Sequence, residues 1–498
     1  MPGATVYNHV MDAPVRTPTK KSRPVSEKQD LRAWIAQMRA AGEVEDIKGA
    51  EPEREIGGIV DIYQRRIGNK AVLFDDIPGF PRGHRILANI LTSVRRINIT
   101  LGLDADAEPN ELIQYWRRYM KDALAIAPIT VQNGPVMDKV RTSADIDIFE
   151  IPVPRWHEHD GGHYIGTGDM VIMRDPDTGW INYGAYRVQA QARDTATVMC
   201  SKGKHGDLIR RRYHERGEPC PIAVVCGMHP ALFMIAGLEI PYGKNEFEAA
   251  GGLIGEAVEV TAGPRTGLPI PVHAEIAFEG FIHPNDLLDQ GPLGEWSGYY
   301  AGGLKKEPAI WIETFMHRDD PILLGAIPGI PPDDDSFYRG TYRAGAIWNQ
   351  IEAAGVPEVK GVWAHPAGGS RLWLTVAIKQ QYAGHAKQAG LIASQCHAGA
   401  YANRFVVVDD DIDPADTDKV IWAMCTRFDP REGMETLRGC WSTALDPMAY
   451  AADDPRNARV VIDACKPFNR RDSFPLVVRA NKELEDLVRK KFSDALPR

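Results

Sequence analysis

Three side chains suited to a hard divalent cation lie in the middle of the chain: Asn182, His205 and Glu246. Oxygen donors with one imidazole fit Mg2+ or Mn2+ better than zinc, which favours more nitrogen or sulfur. They are far apart in sequence, and an asparagine in a strand is ordinarily a turn or surface residue. Lys202, Lys204 and His205 precede a helical run, with Gly203 and Gly206 among them. Free N–H groups at a helix start, beside lysines, can hold a phosphate. An ordinary helix start fits the same residues, and no complete phosphate-loop or dinucleotide pattern is present. The segment Gln290-Gly-Pro-Leu-Gly-Glu-Trp-Ser-Gly-Tyr-Tyr300 reads as a tight turn carrying one carboxylate, Glu295, beside aromatic rings. A carboxyl group against apolar rings has a raised pKa and can act as a general acid near neutral pH. A loop salt bridge is the alternative.

These residues must be positioned by elements of three textures. Leu31, Trp34, Ile35 and Met38 recur at helical spacing, and Gly42 closes that helix. A short strand at Ala71 to Phe74 and a helix over Asn110 to Ala125 complete an N-terminal α/β domain, 29–135. Over 136–318 short strands dominate: Tyr164 to Arg174, Ile181 to Ala190, Val258 to Thr261, His273 to Phe281 and Ala309 to Phe315. Asp175-Pro-Asp-Thr-Gly179 forms a hairpin connection between the first two. Many short strands imply a β-barrel or sandwich, interrupted by one helix at His205 to Glu215. The remainder, 319–498, alternates strands (Gly361 to Ala364, Leu372 to Ala377, Phe405 to Val408) with helices (Ser336 to Ala354, Gly384 to Gln395, Asp416 to Arg427), which indicates a second α/β domain. Residues 1–28 are rich in Pro, Thr, Lys and Arg without periodicity and read as a disordered tail.

The whole-chain properties narrow the function. At 498 residues, two or three domains are expected. A formal net charge of -9 argues against a nucleic-acid partner, which needs a basic face; Arg210, Arg211 and Arg212 fit a solvated helix face. No stretch is apolar for long enough to span a membrane, and no apolar secretory core opens the chain, so a cytoplasmic location is expected. Seven cysteines, an odd number with no CxxC pair, suit reduced and mostly buried thiols.

Several segments together resemble the UbiD family of (de)carboxylases, which includes the ferulate and cinnamate decarboxylases. They are Asp160-Gly-Gly-His-Tyr-Ile-Gly-Thr-Gly168, Asn182-Tyr-Gly-Ala-Tyr-Arg187, Lys204-His205, Asn245-Glu246-Phe247, Gly291-Pro-Leu-Gly-Glu295 and Val408-Asp-Asp-Asp-Ile-Asp413, in the family's order. The resemblance implies an N-terminal α/β domain, a flavin-reductase-like split β-barrel and a C-terminal α/β domain. It also implies non-oxidative decarboxylation of an aromatic or heteroaromatic carboxylic acid, a reaction of a reversible class. Prenylated FMN is the implied cofactor, because CO2 leaving an sp2 carbon requires an electron sink that side chains do not offer.

By the same resemblance, Asn182, His205 and Glu246 would hold Mn2+ (or Mg2+) against the flavin phosphate. Ala185, Tyr186, Arg187, Lys204 and His397 would contact the cofactor. A K+ ion would lie near Tyr183 and Ile235 to Leu238. Arg187 would orient the substrate carboxylate, and Glu295 would donate the proton. Two positions depart from the family pattern: Gln290 stands where a glutamate is usual, and His397 where a phosphate-binding lysine is usual. With Gln290 facing Arg187, the site would work with one carboxylate fewer, unless Asp289 turned inward. A prenyl-FMN synthase would supply the cofactor, and a homodimer or homohexamer is the expected assembly. Two alternatives stand beside this reading: a 3-polyprenyl-4-hydroxybenzoate decarboxylase of ubiquinone synthesis, and a non-catalytic flavin-binding subunit of a larger carboxylase.

Overall fold

The computed structural model describes residues 27–66, 68–122, 124–451, 453–493 and 495. The tail expected over 1–28 lies outside them, its last two positions apart. Over the described residues the fold is mixed α/β, built on four sheets. A four-stranded sheet combines Val44–Lys48, Ala71–Asp75 and Arg85–Ala88 with Ile322–Gly325, which returns from far along the chain to pair in parallel with Arg85–Ala88. The helix Leu31–Ala40 packs beside it and buries the four residues that set its period, Leu31, Trp34, Ile35 and Met38.

The central sheet has ten strands and curls into a half-barrel. Its long member, Lys305–His317, pairs with the strands Ile276–Ile282, Thr195–Val198, Leu287–Gln290 and Lys139–Thr142. Two strands expected to be continuous are each broken. Tyr164 to Arg174 divides into His163–Gly166 and Asp169–Arg174, which lie apart in the sheet. Gly168 lets the chain pass Leu324 there, since a Cβ would stand 2.9 Å from the leucine Cγ. Ile181 to Ala190 divides into Ile181–Gly184 and Val188–Ala192. Between these halves Ala185 leaves the ladder and donates its N–H to the Ala236 carbonyl at 2.9 Å, so Tyr186 and Arg187 project from a loop. The strand expected from His273 begins at Ile276. The hairpin at Asp175 to Gly179 and the helix His205–Glu215 form as expected.

The C-terminal five-stranded sheet runs in the order Val359–Ala364, Trp373–Ile378, Arg404–Asp409, Arg456–Asp463, Met434–Trp441. The last two strands form an antiparallel hairpin whose alternation is interrupted between Leu437 and Cys440, which hides it from a period-two reading. The helix Pro230–Gly237 also escapes a periodicity reading. Pro230 to Ala236 are all buried, so it has no polar face to set a period. No helix of the described residues is long and apolar enough to cross a membrane. All seven cysteines are free thiols; Cys200, Cys220, Cys226 and Cys465 are buried and Cys425 is exposed.

Candidate active site

The strand Ile181–Gly184 and the starts of two helices bring three distant residues together. His205 opens the helix His205–Glu215, and Glu246 opens Glu246–Ile254, whose N-terminus is capped by the Asn245 side chain accepting from Phe247 N at 2.9 Å. Asn182 Nδ2 lies 2.6 Å from Glu246 Oε1 and 3.5 Å from His205 Nδ1, and the His205 Nδ1–Glu246 Oε1 distance is 3.9 Å. Glu246 is buried, and burial raises its pKa, with His205 and Asn182 pulling the other way. A buried carboxylate facing an amide and an imidazole is a donor set lacking a full positive partner, and a divalent cation would supply one. Turning the Asn182 amide presents its oxygen to such an ion. The residues therefore fit the metal. Among the described residues no group of three His, Cys, Asp or Glu side chains could hold an ion; here the third donor is an asparagine.

The helices that start at 205 and 246 both turn their N-termini, the positive ends of their dipoles, toward this corner with His205 and Glu246 as first residues, a setting that favours anions. Tyr186 turns back over it, its OH accepting from Gly206 N at 3.2 Å. Trp180, His205 and Tyr242 form an edge-to-face cluster with centroids 4.8 to 5.5 Å apart. Lys204 and His397 approach from opposite sides, and Glu239 stands between them, 3.9 Å from Lys204 Nζ and 3.8 Å from His397 Nε2. The Glu239 carboxyl is held well below its ordinary range, chiefly by His397, with burial opposing and Lys204 and Arg343 assisting. This acidic residue was not foreseen.

One residue beyond Tyr186, Arg187 Nη1 donates to Glu295 Oε1 at 3.0 Å, and both side chains are largely enclosed. Burial raises the Glu295 pKa, while Arg187, Lys305 and Arg371 pull it down. The Asp160-Gly-Gly segment holds the turn that bears Glu295. Gly161 N and Tyr164 OH both donate to the Pro292 carbonyl, at 2.8 and 3.0 Å, and Asp160 accepts from His157 N and Tyr300 OH. A Cβ on Gly161 would stand 1.7 Å from the Gly291 oxygen. Gly161→Val is expected to push the turn away and to destabilise the protein by ~1–3 kcal/mol, the usual scale of overpacking. Urea unfolding checks the stability, and a midpoint equal to that of the native protein would contradict the packing role.

Gln290 is buried, and its Nε2 donates to Thr197 O and Thr197 Oγ1, both at 3.0 Å. No hydrogen bond joins it to Arg187 among the described residues; Gln290 Oε1 and Arg187 Nε are each buried without a partner. Asp289 points outward to Lys306 at 3.0 Å and does not replace the missing charge. Gln290→Glu would remove both amide donors and set a carboxylate against the Thr197 carbonyl. We expect a loss of ~1–3 kcal/mol, the cost of leaving buried polar groups unsatisfied, read as a lower urea midpoint.

The site also includes residues that the sequence did not single out: Trp296, Arg339, Arg343 and Arg371. The available signal was Arg339 and Arg343 four residues apart in one helix, hence on one face.

Comparison with known proteins agrees with this architecture. Residues 35–116, 129–331 and 336–464 match, in turn, the N-terminal, Rift-related and C-terminal domains of the 3-octaprenyl-4-hydroxybenzoate carboxy-lyase (UbiD) family. The pyrrole-2-carboxylic acid decarboxylase of Pseudomonas aeruginosa is 29% identical over 457 residues, 88% of this chain and 91% of the relative. The phenolic acid decarboxylase of Streptomyces sp. (strain D7) is 28% identical over 446 residues, 88% of this chain and 92% of the relative. Among solved structures, the UbiD-class enzyme HmfF from Pelotomaculum thermopropionicum, in complex with FMN, superposes with a TM-score of 0.83 at 23% identity, covering 94% of this chain and all of that one. The closed form of the Sedimentibacter hydroxybenzoicus vanillic acid decarboxylase gives 0.78 at 25% identity, covering 95% of this chain and all of that one.

Proposed function

Since the chain belongs to the UbiD family and is a decarboxylase of that class, we propose that it removes CO2 from an aromatic or heteroaromatic carboxylic acid with prenylated FMN, Glu295 serving as the proton donor. The observation that carries the proposal is the enclosed Arg187–Glu295 pair, 3.0 Å apart, with the Glu295 pKa raised by burial. Asn182, His205 and Glu246 would hold Mn2+ or Mg2+ at the flavin phosphate, beside two helix N-termini that favour the same anion. Tyr186, Ala185, Lys204 and His397 would contact the cofactor, and K+ would lie near Tyr183 and Ile235 to Leu238. When bound, the prenylated flavin supplies the electron sink that decarboxylation at an sp2 carbon requires.

The protein's own groups do the rest. The Arg187 fork can receive the substrate carboxylate through two parallel N–H donors, and its planar geometry fixes the ring's orientation. That exchange frees Glu295 from its ion pair. Without the arginine's pull, the enclosed carboxyl favours its protonated form. It can then deliver its proton to the carbon that CO2 has left. Enclosure of both groups limits competing water.

The test is expression of the protein with and without a prenyl-FMN synthase, followed by CO2 release across a panel of aromatic acids. Release is expected from the co-expressed protein alone. Equal release from protein carrying unmodified FMN would overturn the cofactor assignment.

A further inference from the structure

Arg371, which acts electrostatically on Glu295, belongs to an arginine cluster that carries more positive charge than one substrate carboxylate can use. Arg339 and Arg343 lie on one face of the helix Asp334–Ala353, and Arg371 comes from the turn before the strand Trp373–Ile378. Arg339 is paired with Asp335 at 2.6 Å. The other two have no carboxylate partner among the described residues. Arg343 Nη1 makes one hydrogen bond, to the Ser370 carbonyl at 3.2 Å. The Arg371 guanidinium lies over the Trp296 ring, 4.7 Å from its centroid, and its Nε is buried without an acceptor. Ser370 Oγ and Trp296 Nε1 are likewise buried and unpaired. The arginines also repel each other: burial and the Arg371 charge bring Arg343 down to about 10.

Buried cations are ordinarily paired, and buried donors ordinarily find acceptors. Two half-buried guanidiniums without a carboxylate partner, beside a buried Arg371 Nε, Ser370 hydroxyl and Trp296 indole N–H that lack acceptors, describe a place for an acceptor-rich anion. Trp296 follows Glu295 in sequence, which sets this place beside the proton donor. The cofactor phosphate is a poor candidate, because Glu239 stands between Lys204 and His397 at the phosphate corner and acts electrostatically on Arg343 itself. A phosphate reaching for the arginines would meet that carboxylate.

We propose that Arg371 and Arg343 receive a second anionic group of the substrate, so that the enzyme acts on aromatic dicarboxylates, holding the reacting carboxylate at Arg187 and the retained one at the arginine pair. This rests on the decarboxylase reading above and names its substrate class. The retained carboxylate is unchanged through the reaction, so its contacts stabilise ground and transition states alike and act chiefly on KM.

The test compares benzene dicarboxylates with benzoate, using the flavin-loaded protein and its Arg371→Met, Arg343→Met and Arg371→Lys variants. The kcat/KM ratio of dicarboxylate to monocarboxylate is expected to fall by about 10- to 100-fold in each methionine variant, mostly through KM, as for the loss of a charge-assisted hydrogen bond. Arg371→Lys, which keeps the charge and the fold, should lie between. Calorimetry on flavin-free protein gives a readout apart from turnover: the dicarboxylate should bind more tightly than benzoate, and Arg371→Met should erase the difference. Equal binding of the two acids, or a preference untouched by the variants, overturns the proposal. So does a loss of flavin from Arg371→Met with the dicarboxylate preference intact, which would give the pair to the phosphate. If no acid releases CO2 yet the calorimetric preference depends on Arg371, the decarboxylase reading fails and the dianion site stands.

Discussion

Glu295→Gln retains flavin but loses turnover by about 10^2-fold or more, the usual scale for a positioned proton donor. The amide keeps the size of the side chain and its hydrogen-bond acceptor for Arg187, so binding should survive while proton delivery does not. The pH dependence gives a second signature. Burial raises the Glu295 pKa, so the acid form that donates the proton persists to higher pH than for an exposed glutamate. Activity is therefore present below the raised pKa and lost as pH climbs through it. The alkaline limb of the kcat profile should vanish in the glutamine variant's residual rate. Arg187 opposes the upward shift, so a substrate carboxylate that engages Arg187 should move the limb to higher pH in kcat than in kcat/KM.

The second large effect concerns cofactor retention. His205→Ala and Glu246→Gln should each be purified with little flavin, and dialysis against a chelator should release flavin from the native protein. Even the loss of outer-shell support typically costs about 10- to 100-fold in metal affinity, and a direct donor should cost at least that. The Asn182 Nδ2 donation to Glu246 Oε1 at 2.6 Å sets the amide against the carboxylate, so Asn182→Ala should act on the same property. Flavin absorbance per protein and metal content measure the outcome. A His205→Ala protein with full flavin and no metal would separate flavin binding from the ion and end the proposed bridge.

Much of the scaffold was legible because its periods are strong. The apolar spacing of Leu31, Trp34, Ile35 and Met38 and the strand at Ala71 to Phe74 follow directly from side-chain patterning. Breaks were harder to read. Gly166, Gly168 and Gly184 sit in runs that read as continuous strands, and the chain leaves the sheet there because of contacts with Leu324 and Ala236, far away in sequence. Those breaks place Arg187 on a loop, so the missed boundaries lie next to the chemistry.

The Asn182, His205 and Glu246 triplet was weak on residue types alone and gained force only from the ordered motif segments around it. Arg371 and Glu239 were not legible. Each matters through neighbours from another segment, Trp296 for one and Lys204 with His397 for the other, and no local spacing records such a meeting. Gln290 was identified as the odd residue, but its partner, Thr197, lies on a strand that only the sheet pairing brings near.

The proton-transfer role of Glu295 is tested most directly by hydrogen exchange on the product. Flavin-loaded protein incubated in D2O with the decarboxylated aromatic product should introduce deuterium at the carbon that had carried CO2. The Glu295→Gln variant, with the same flavin content, should slow that exchange by about 10^2-fold or more. Exchange at the native rate in the variant would remove Glu295 from the proton path.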